Sequence, residues 1–398
     1  MKEINYARRL WLMLIAMIGL TGSALLFNFL LNPFGAWRHR LVSQTYYRVR
    51  AGHDRVITPY LLRSTRPNTV MLGTSRVLMG MPIEQGMKDG FLNAAMAAAR
   101  LQEISRAVSI ALKNPRLKRI IWGVDFFTFD QRLKSNPQTF ARLNGSLQLL
   151  IQDNLLSSEA LDSSYHLLGR ALQGRKGLDR KVLEPIPWPA DFICNRFAHY
   201  PRRGLAAYGD RGALPQVMLE MPLYRGAVCC DAGLARFKAV IDEIRRAHVQ
   251  PIIFIPPLSR YELEAIRQDG DWPRFQQWKR DLAQIVPYWD FSGYNPMSGT
   301  DTMFLDILHM KPEVGMTILR RLLGDGAAQC PGMKTVLDSG FWVDRNDVDR
   351  VLAIQDQREQ AAIEEPNKYS EVVARAIEQS SRTITAASNQ AFFNASGP

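Results

Sequence analysis

The sequence predicts an α/β protein built on a parallel sheet. Three observations lead there. From Pro67 onward, short apolar runs alternate with longer segments of helical period. The short runs are rich in β-branched and aromatic residues and are bounded by Pro, Gly or Asn. They are apolar without interruption rather than alternating, as strands are when helices cover both faces of a sheet.

The elements follow in order. "TVMLGT" (69–74) reads as the first strand and "FLNAAM" (91–96) as the second. "AARLQEISRAVSIALKN" (98–114) is helical, with Leu101, Ile104, Val108 and Leu112 on one face. "LKRIIWGVDFF" (117–127) is a strongly β-prone third strand. "GLARFKAVIDEIRRAHV" (233–249) is a helix with Leu234, Phe237, Ile241 and Ile244 aligned. "QPIIFIPP" (250–257) is a strand closed by prolines, residues 260–286 are helical with a break at Gly270, and "PYWDFSGY" (287–294) is a last short strand. In doubly wound sheets, ligands gather beyond the carboxyl ends of the strands. That rule puts Ser75, Asp125 and the Pro256-Pro257 loop on one rim.

Two segments break the rhythm. Residues 130–230 read as an insertion, helical around "GSLQLLIQDNLL" and irregular towards its end. Residues 325–398 read as a charged, amphipathic helical extension to the 67–324 domain, either packed along it or free to bind a partner. Residues 32–66 read as a basic, proline-punctuated connector.

Residues 1–31 hold a short polar tail and an anchor. Leu10–Leu31 carries no charged side chain, and at about 1.5 Å per residue it reaches roughly 33 Å, enough to cross a bilayer. The run is longer than a secretory signal core and lacks a small-residue exit. It therefore reads as an uncleaved single-pass anchor with Phe34 and Trp37 near the interface. Lys2, Arg8 and Arg9 precede it, and Arg38, Arg40, Arg48 and Arg50 follow it. This charge balance sets no orientation; the short tail predicts a cytoplasmic N-terminus and a main domain on the outer side of the membrane.

The net charge of +12 over 398 residues favours anionic surfaces or polymers. No zinc-finger spacing, RNA-binding signature or lysine-rich arm points to nucleic acid. None of the four cysteines forms a C-x-x-C pair, so no metal is expected, and nothing calls for a cofactor. In an oxidising compartment Cys194 could pair with Cys229 or Cys230; the alternative is free buried thiols.

The chemistry centres on "GTSR", residues 73–76. A serine directly after a strand, at the opening of a helix, is either a nucleophile beside outward-facing N–H groups or an ordinary N-cap. Asp306 and His309 stand three apart, just before a helix opened by Pro312. At that spacing a tight turn lets the carboxylate fix the imidazole, and the imidazole can then deprotonate Ser75.

Together, "GTSR", "FLNAA", "IIWGVDFF" and the final D-x-x-H resemble the SGNH/GDSL hydrolase superfamily. The layout is most similar to its membrane-anchored extracytoplasmic members, the D-alanyl transfer protein and alginate O-acetylation protein families. The similarity spans about residues 67–125 and 231–323. It implies a flavodoxin-like α/β/α fold, Ser75 as nucleophile, His309 as base and Asp306 as its orienter. It also implies an oxyanion donor at the second block, where the backbone N–H of Ala94 or Ala95 could serve; the family's third-block asparagine is replaced here by Gly123-Val124-Asp125, and Asn93 at the neighbouring strand end could substitute for it. Thr74 replaces the aspartate of the family's first block. Arg76 either holds an anionic group of a substrate or pairs with Asp125. Trp188, Arg202, Arg203 and Tyr208 in the insertion either form a sugar-stacking, acid-binding wall or belong to local core and surface.

The expected function is a serine esterase or O-acyltransferase acting on an anionic or acylated envelope polysaccharide. The resemblance further implies a multispanning acyltransferase as partner. The rival reading keeps the fold as a non-catalytic, polysaccharide-binding or scaffold module.

Overall fold

The computed structural model describes residues 6–34, 36–37, 53–81, 90–133, 135, 137–173, 205, 217, 230–324, 334–364 and 367–379. The chain is an α/β protein around a mostly parallel six-stranded sheet. An apolar helix, α1 (Tyr6–Leu31), precedes it, and the other described residues cover none of its most apolar window.

The elements after α1 run in this order: α2 (Asp54–Thr65), β1 (Thr69–Leu72), α3 (Ser75–Gly80), β2 (Phe91–Asn93), α4 (Leu101–Ala111) and β3 (Arg119–Gly123). The insertion then contributes α5 (Pro137–Arg142), α6 (Leu147–Ile151) and α7 (Ser158–Gln173). The sheet resumes through α8 (Asp231–Arg246), β4 (Gln250–Ile255), α9 (Arg260–Gln268), α10 (Trp272–Ile285) and β5 (Tyr288–Asp290). The described chain continues with α11 (Pro312–Leu322), α12 (Lys334–Asp338), β6 (Phe341–Val343) and α13 (Val348–Ile363).

The sheet order is β2-β1-β3-β4-β5-β6. The first five strands are parallel, with Val70 beside Leu92 and Ile120, and Ile253 beside Tyr288. All four residues of β1 are buried, as its unbroken apolar pattern requires. Phe126, Phe129, Phe275 and Trp278 pack edge to face and in stacks behind β3. The strand order reverses between β1 and β3, so the residues that follow those strands meet at a switch point on the carboxyl rim.

Two expectations need correction. The connector is not merely a linker: α2 buries Val56, Ile57, Leu61 and Leu62 against α4 and β2. Its apolar face was masked in the sequence by Pro59, which lies inside the helix. The C-terminal extension is not only helical: β6 pairs antiparallel with β5, placing Trp342 beside Trp289. A three-residue strand is too short to leave a period in sequence.

Candidate active site

β1 ends at Leu72, and the chain must turn sharply before α3 starts at Ser75. Gly73 makes this turn at φ +149°, where a Cβ would lie 2.5 Å from Val77 Cγ2 and 2.9 Å from the Gly123 carbonyl oxygen. Thr74 then caps α3: its hydroxyl oxygen accepts from the Arg76 N–H, and its hydroxyl donates to Asp125 Oδ2 at 2.7 Å. So Thr74 is the N-cap, and Ser75, one position on, is half-buried with its Oγ free to face a neighbour.

That neighbour is His309, whose Nε2 lies 2.8 Å from Ser75 Oγ. His309 sits in a tight hairpin. Phe304 and Met310 bridge antiparallel, and the Leu305 N–H donates to the His309 carbonyl at 2.7 Å. Inside the turn, Asp306 Oδ1 accepts from the Leu308 and His309 N–H groups at 2.9 and 2.8 Å. Both Asp306 oxygens also stand 2.8 Å from His309 Nδ1. A carboxylate there requires Nδ1 to carry the proton, which leaves Nε2 as an acceptor towards Ser75. Burial pushes the Asp306 carboxyl upward; the His309 ring bond, the His309 charge and the two backbone donors outweigh it and hold the group below its ordinary range. The structure therefore brings Ser75, His309 and Asp306 into one hydrogen-bonded chain.

Three further ties hold the hairpin against α3. α11 crosses α3 where two glycines meet, and a Cβ on Gly315 would overlap the Gly80 carbonyl oxygen. Ser259, the N-cap of α9, donates its hydroxyl to the Ile307 carbonyl at 2.6 Å. The Arg76 Nη1 donates to the Leu308 carbonyl at 2.9 Å.

Arg76 is the hub of this arrangement. Its side chain is 2 % exposed. It forks onto Glu262, with Nη1 2.8 Å from Oε2 and Nη2 bonded to Oε1. Its Nε stands 2.8 Å from Asp125 Oδ1, without the alignment that a hydrogen bond needs. Of the two roles expected for Arg76, the structure takes the pairing with Asp125. The guanidinium is enclosed by the carboxylates of Glu262 and Asp125. Burial pushes the Asp125 carboxyl up, against the pull of Arg76 and the Thr74 hydrogen bond. Asp125 thus serves the cluster and is no oxyanion donor.

The groups expected as oxyanion donors have protein partners in this structure. Both Asn93 amide hydrogens go to backbone, to Val77 O at 3.1 Å and Met81 O at 2.8 Å. Its Oδ1 accepts from the Ala95 N–H at 3.0 Å. The Ala94 N–H belongs to the strand ladder, donating to Met71 O at 2.8 Å. The Ser75 N–H remains, since at the first helical position it precedes the intrahelical bonds.

Sequence reasoning missed Glu262 and Ser259. The pair stands as S-x-x-E at the start of α9, an N-terminal capping signature, and the Glu262 N–H does bond Ser259 Oγ at 3.3 Å. Nothing in that local pattern announces that Glu262 reaches Arg76. Trp188, Arg202, Arg203 and Tyr208 lie outside the described residues. A cleft of about 620 Å³ opens beyond β3, lined by Gln102, Phe129, Phe140 and Arg236 but by none of Ser75, Asp306 and His309. Among the described residues, no group of three or more His, Cys, Asp or Glu side chains could hold a metal.

Compared with known proteins, the chain matches no family model and no curated relative.

Proposed function

We propose that the protein is a membrane-anchored serine esterase or O-acyltransferase of SGNH type that acts on an envelope polysaccharide. The observation that carries this reading is the 2.8 Å contact from Ser75 Oγ to His309 Nε2, with Asp306 held 2.8 Å behind Nδ1. A hydroxyl is a poor nucleophile near neutral pH unless a base takes its proton, and this geometry supplies the base and its orienter. The strand order β2-β1-β3-β4-β5 supports the flavodoxin-like, three-layer arrangement that the resemblance implies.

The reaction runs in two halves. Nε2 takes the Ser75 proton as Oγ bonds to the donor's acyl carbon. The donor's acyl C–O bond breaks, its oxygen takes that proton, and the acyl group stays on Ser75 as an ester. A sugar hydroxyl or water then gives its proton to Nε2 and attacks the ester, and Ser75 leaves with that proton. Asp306 stabilises the imidazolium in both halves.

The apolar α1 supports an anchor. Cys230 is disulfide-bonded, which suits an oxidising compartment and hence a periplasmic domain. A scaffold reading rests on one observation: the donors expected for the oxyanion are committed elsewhere, and the loss of one such donor costs about 100- to 1000-fold in rate. Cells expressing the full chain with Ser75→Ala separate the two. The enzyme reading expects their envelope polymer to change in O-acyl content as it does when the protein is absent. Wild-type acyl content with the variant would establish the scaffold.

A further inference from the structure

The insertion carries an apolar stripe with no explanation in the site chemistry. On α7, Leu161, Tyr165 and Leu172 recur at helical spacing and project outward; with Leu147 and Leu156 just before, they are 43 to 69 % exposed. The buried face of the same helix is Ala160, Ser164 and Leu167. The polar side chains Glu159, Asp162 and His166 lie on the remaining side. A helix with one inward face, one apolar exposed face and one polar face has a surface that water does not suit.

What covers the stripe is indicated by where α7 sits. α1 packs on α7 and on the π-turn Gln152–Leu156. Asn28 of α1 donates from Nδ2 to the Leu155 carbonyl at 2.9 Å, and Asn28 and Leu31 are buried there. These contacts fall on Ala24–Leu31, the end of the uncharged run. At about 1.5 Å per residue, they occupy roughly the last 10 Å of a membrane span. The docked segment therefore lies at the level where acyl chains give way to headgroups. The helix that carries the stripe packs on α1, and the stripe holds a tyrosine, as interfacial segments do.

We propose that α6, the π-turn and α7 form an interfacial wedge, with Leu147, Leu156, Leu161, Tyr165 and Leu172 immersed in the lipid beside the anchor. The wedge fixes the domain against the membrane surface instead of leaving it on a free tether. The inference rests on α1 crossing the membrane and is independent of the chemistry at Ser75. Lipid is favoured over a protein partner because α7 packs directly on α1, the helix whose apolar window the described residues leave uncovered.

The test uses the full chain in phosphatidylcholine–phosphatidylglycerol vesicles, with and without acyl chains brominated close to the headgroup. Tyr165→Trp adds one reporter at an exposed position, read as the difference from the parent chain. The added emission is expected to be blue-shifted, to lose most of its intensity in brominated vesicles, and to resist iodide in the water. Emission quenched by iodide and untouched by bromine would overturn the proposal. Shielding from both would overturn it too and would point to a protein covering the stripe. Trp11, inside the span, is the control, read as the difference between the parent and Trp11→Phe. Quenching there without quenching at position 165 leaves the anchor standing and ends the wedge.

Discussion

Arg76 and Lys279 are both buried cations held by a carboxylate at the end of a parallel strand, and they do different work. Lys279 is fully buried on α10; its Nζ lies 2.9 Å from Asp290 Oδ2 and donates to Gln355 Oε1 at 2.7 Å. Gln355 on α13 returns a hydrogen bond to the same Asp290 oxygen at 2.9 Å. Burial pulls the Lys279 ammonium down, and Asp290 pulls it back up. The three side chains satisfy one another and join α13 to the sheet. Around Arg76, the contacts run outward: hydrogen bonds to Glu262 on α9 and to the Leu308 carbonyl in the hairpin that holds His309, and an ion pair with Asp125 after β3. Its chain neighbour Ser75 stays half-exposed. The closed cluster fixes an edge; the open one links α9 and the end of β3 to the hairpin that carries His309. Removing either cation strands buried carboxylates, but only one of the two should be felt by the chemistry.

The largest effects test the open side. Ser75→Ala and His309→Ala should each lower ester turnover by on the order of 10³-fold or more with little change in Tm. Lys279→Met should do the opposite, lowering stability by about 3–5 kcal/mol in denaturant titration while the folded fraction keeps its turnover. Arg76→Met should lose both stability, on the same scale of about 3–5 kcal/mol, and turnover. If Arg76→Met matches Lys279→Met in stability and retains full turnover, the cluster around Arg76 is a fastener only.

A smaller effect is expected where α11 meets α3. Gly315→Ala should cost about 1–3 kcal/mol, because backbone rather than a movable side chain stands in the way of the new methyl. A shift of about 1 Å in the hairpin would lower turnover by on the order of 100-fold. Unchanged turnover in a destabilised Gly315→Ala protein would separate the helix crossing from the site.

The smallest effect is the pH dependence of the Asp306–His309 pair. The Asp306 carboxyl is held below its unfolded value, so its stabilisation is complete above the ordinary carboxylate value of about 4. It is lost as pH falls through the lower folded value. Asp306→Asn should flatten that acid limb in a Tm-against-pH series and leave residual turnover, since the base remains. An acid limb unaltered by the substitution would assign it to other carboxylates.

Much of this was legible in the sequence because it is local. The strands announced themselves as unbroken apolar runs, and GTSR and D-x-x-H named the three side chains that meet. A carboxylate three residues before a histidine can close only within a tight turn, which makes that pairing readable without a fold. The partners of Arg76 were half legible. Asp125 could be guessed from its place after β3, whereas Glu262, 186 residues away, could not. The acceptors of the expected oxyanion donors were not legible, because sequence shows which groups can donate and not which acceptors they already serve. Asn93 is the example: its amide is used by two carbonyls from the segment right after Ser75. Gly80 and Gly315 left no signal, since a close helix crossing is a property of two distant residues together.

The most direct test is covalent labelling of the folded full chain with a fluorophosphonate, with the modified peptide located by mass spectrometry. Modification at Ser75 is predicted, abolished in Ser75→Ala, strongly slowed in His309→Ala and only partly slowed in Asp306→Asn. A folded wild-type protein that stays unmodified at Ser75, or that labels as fast without His309 as with it, would contradict the account.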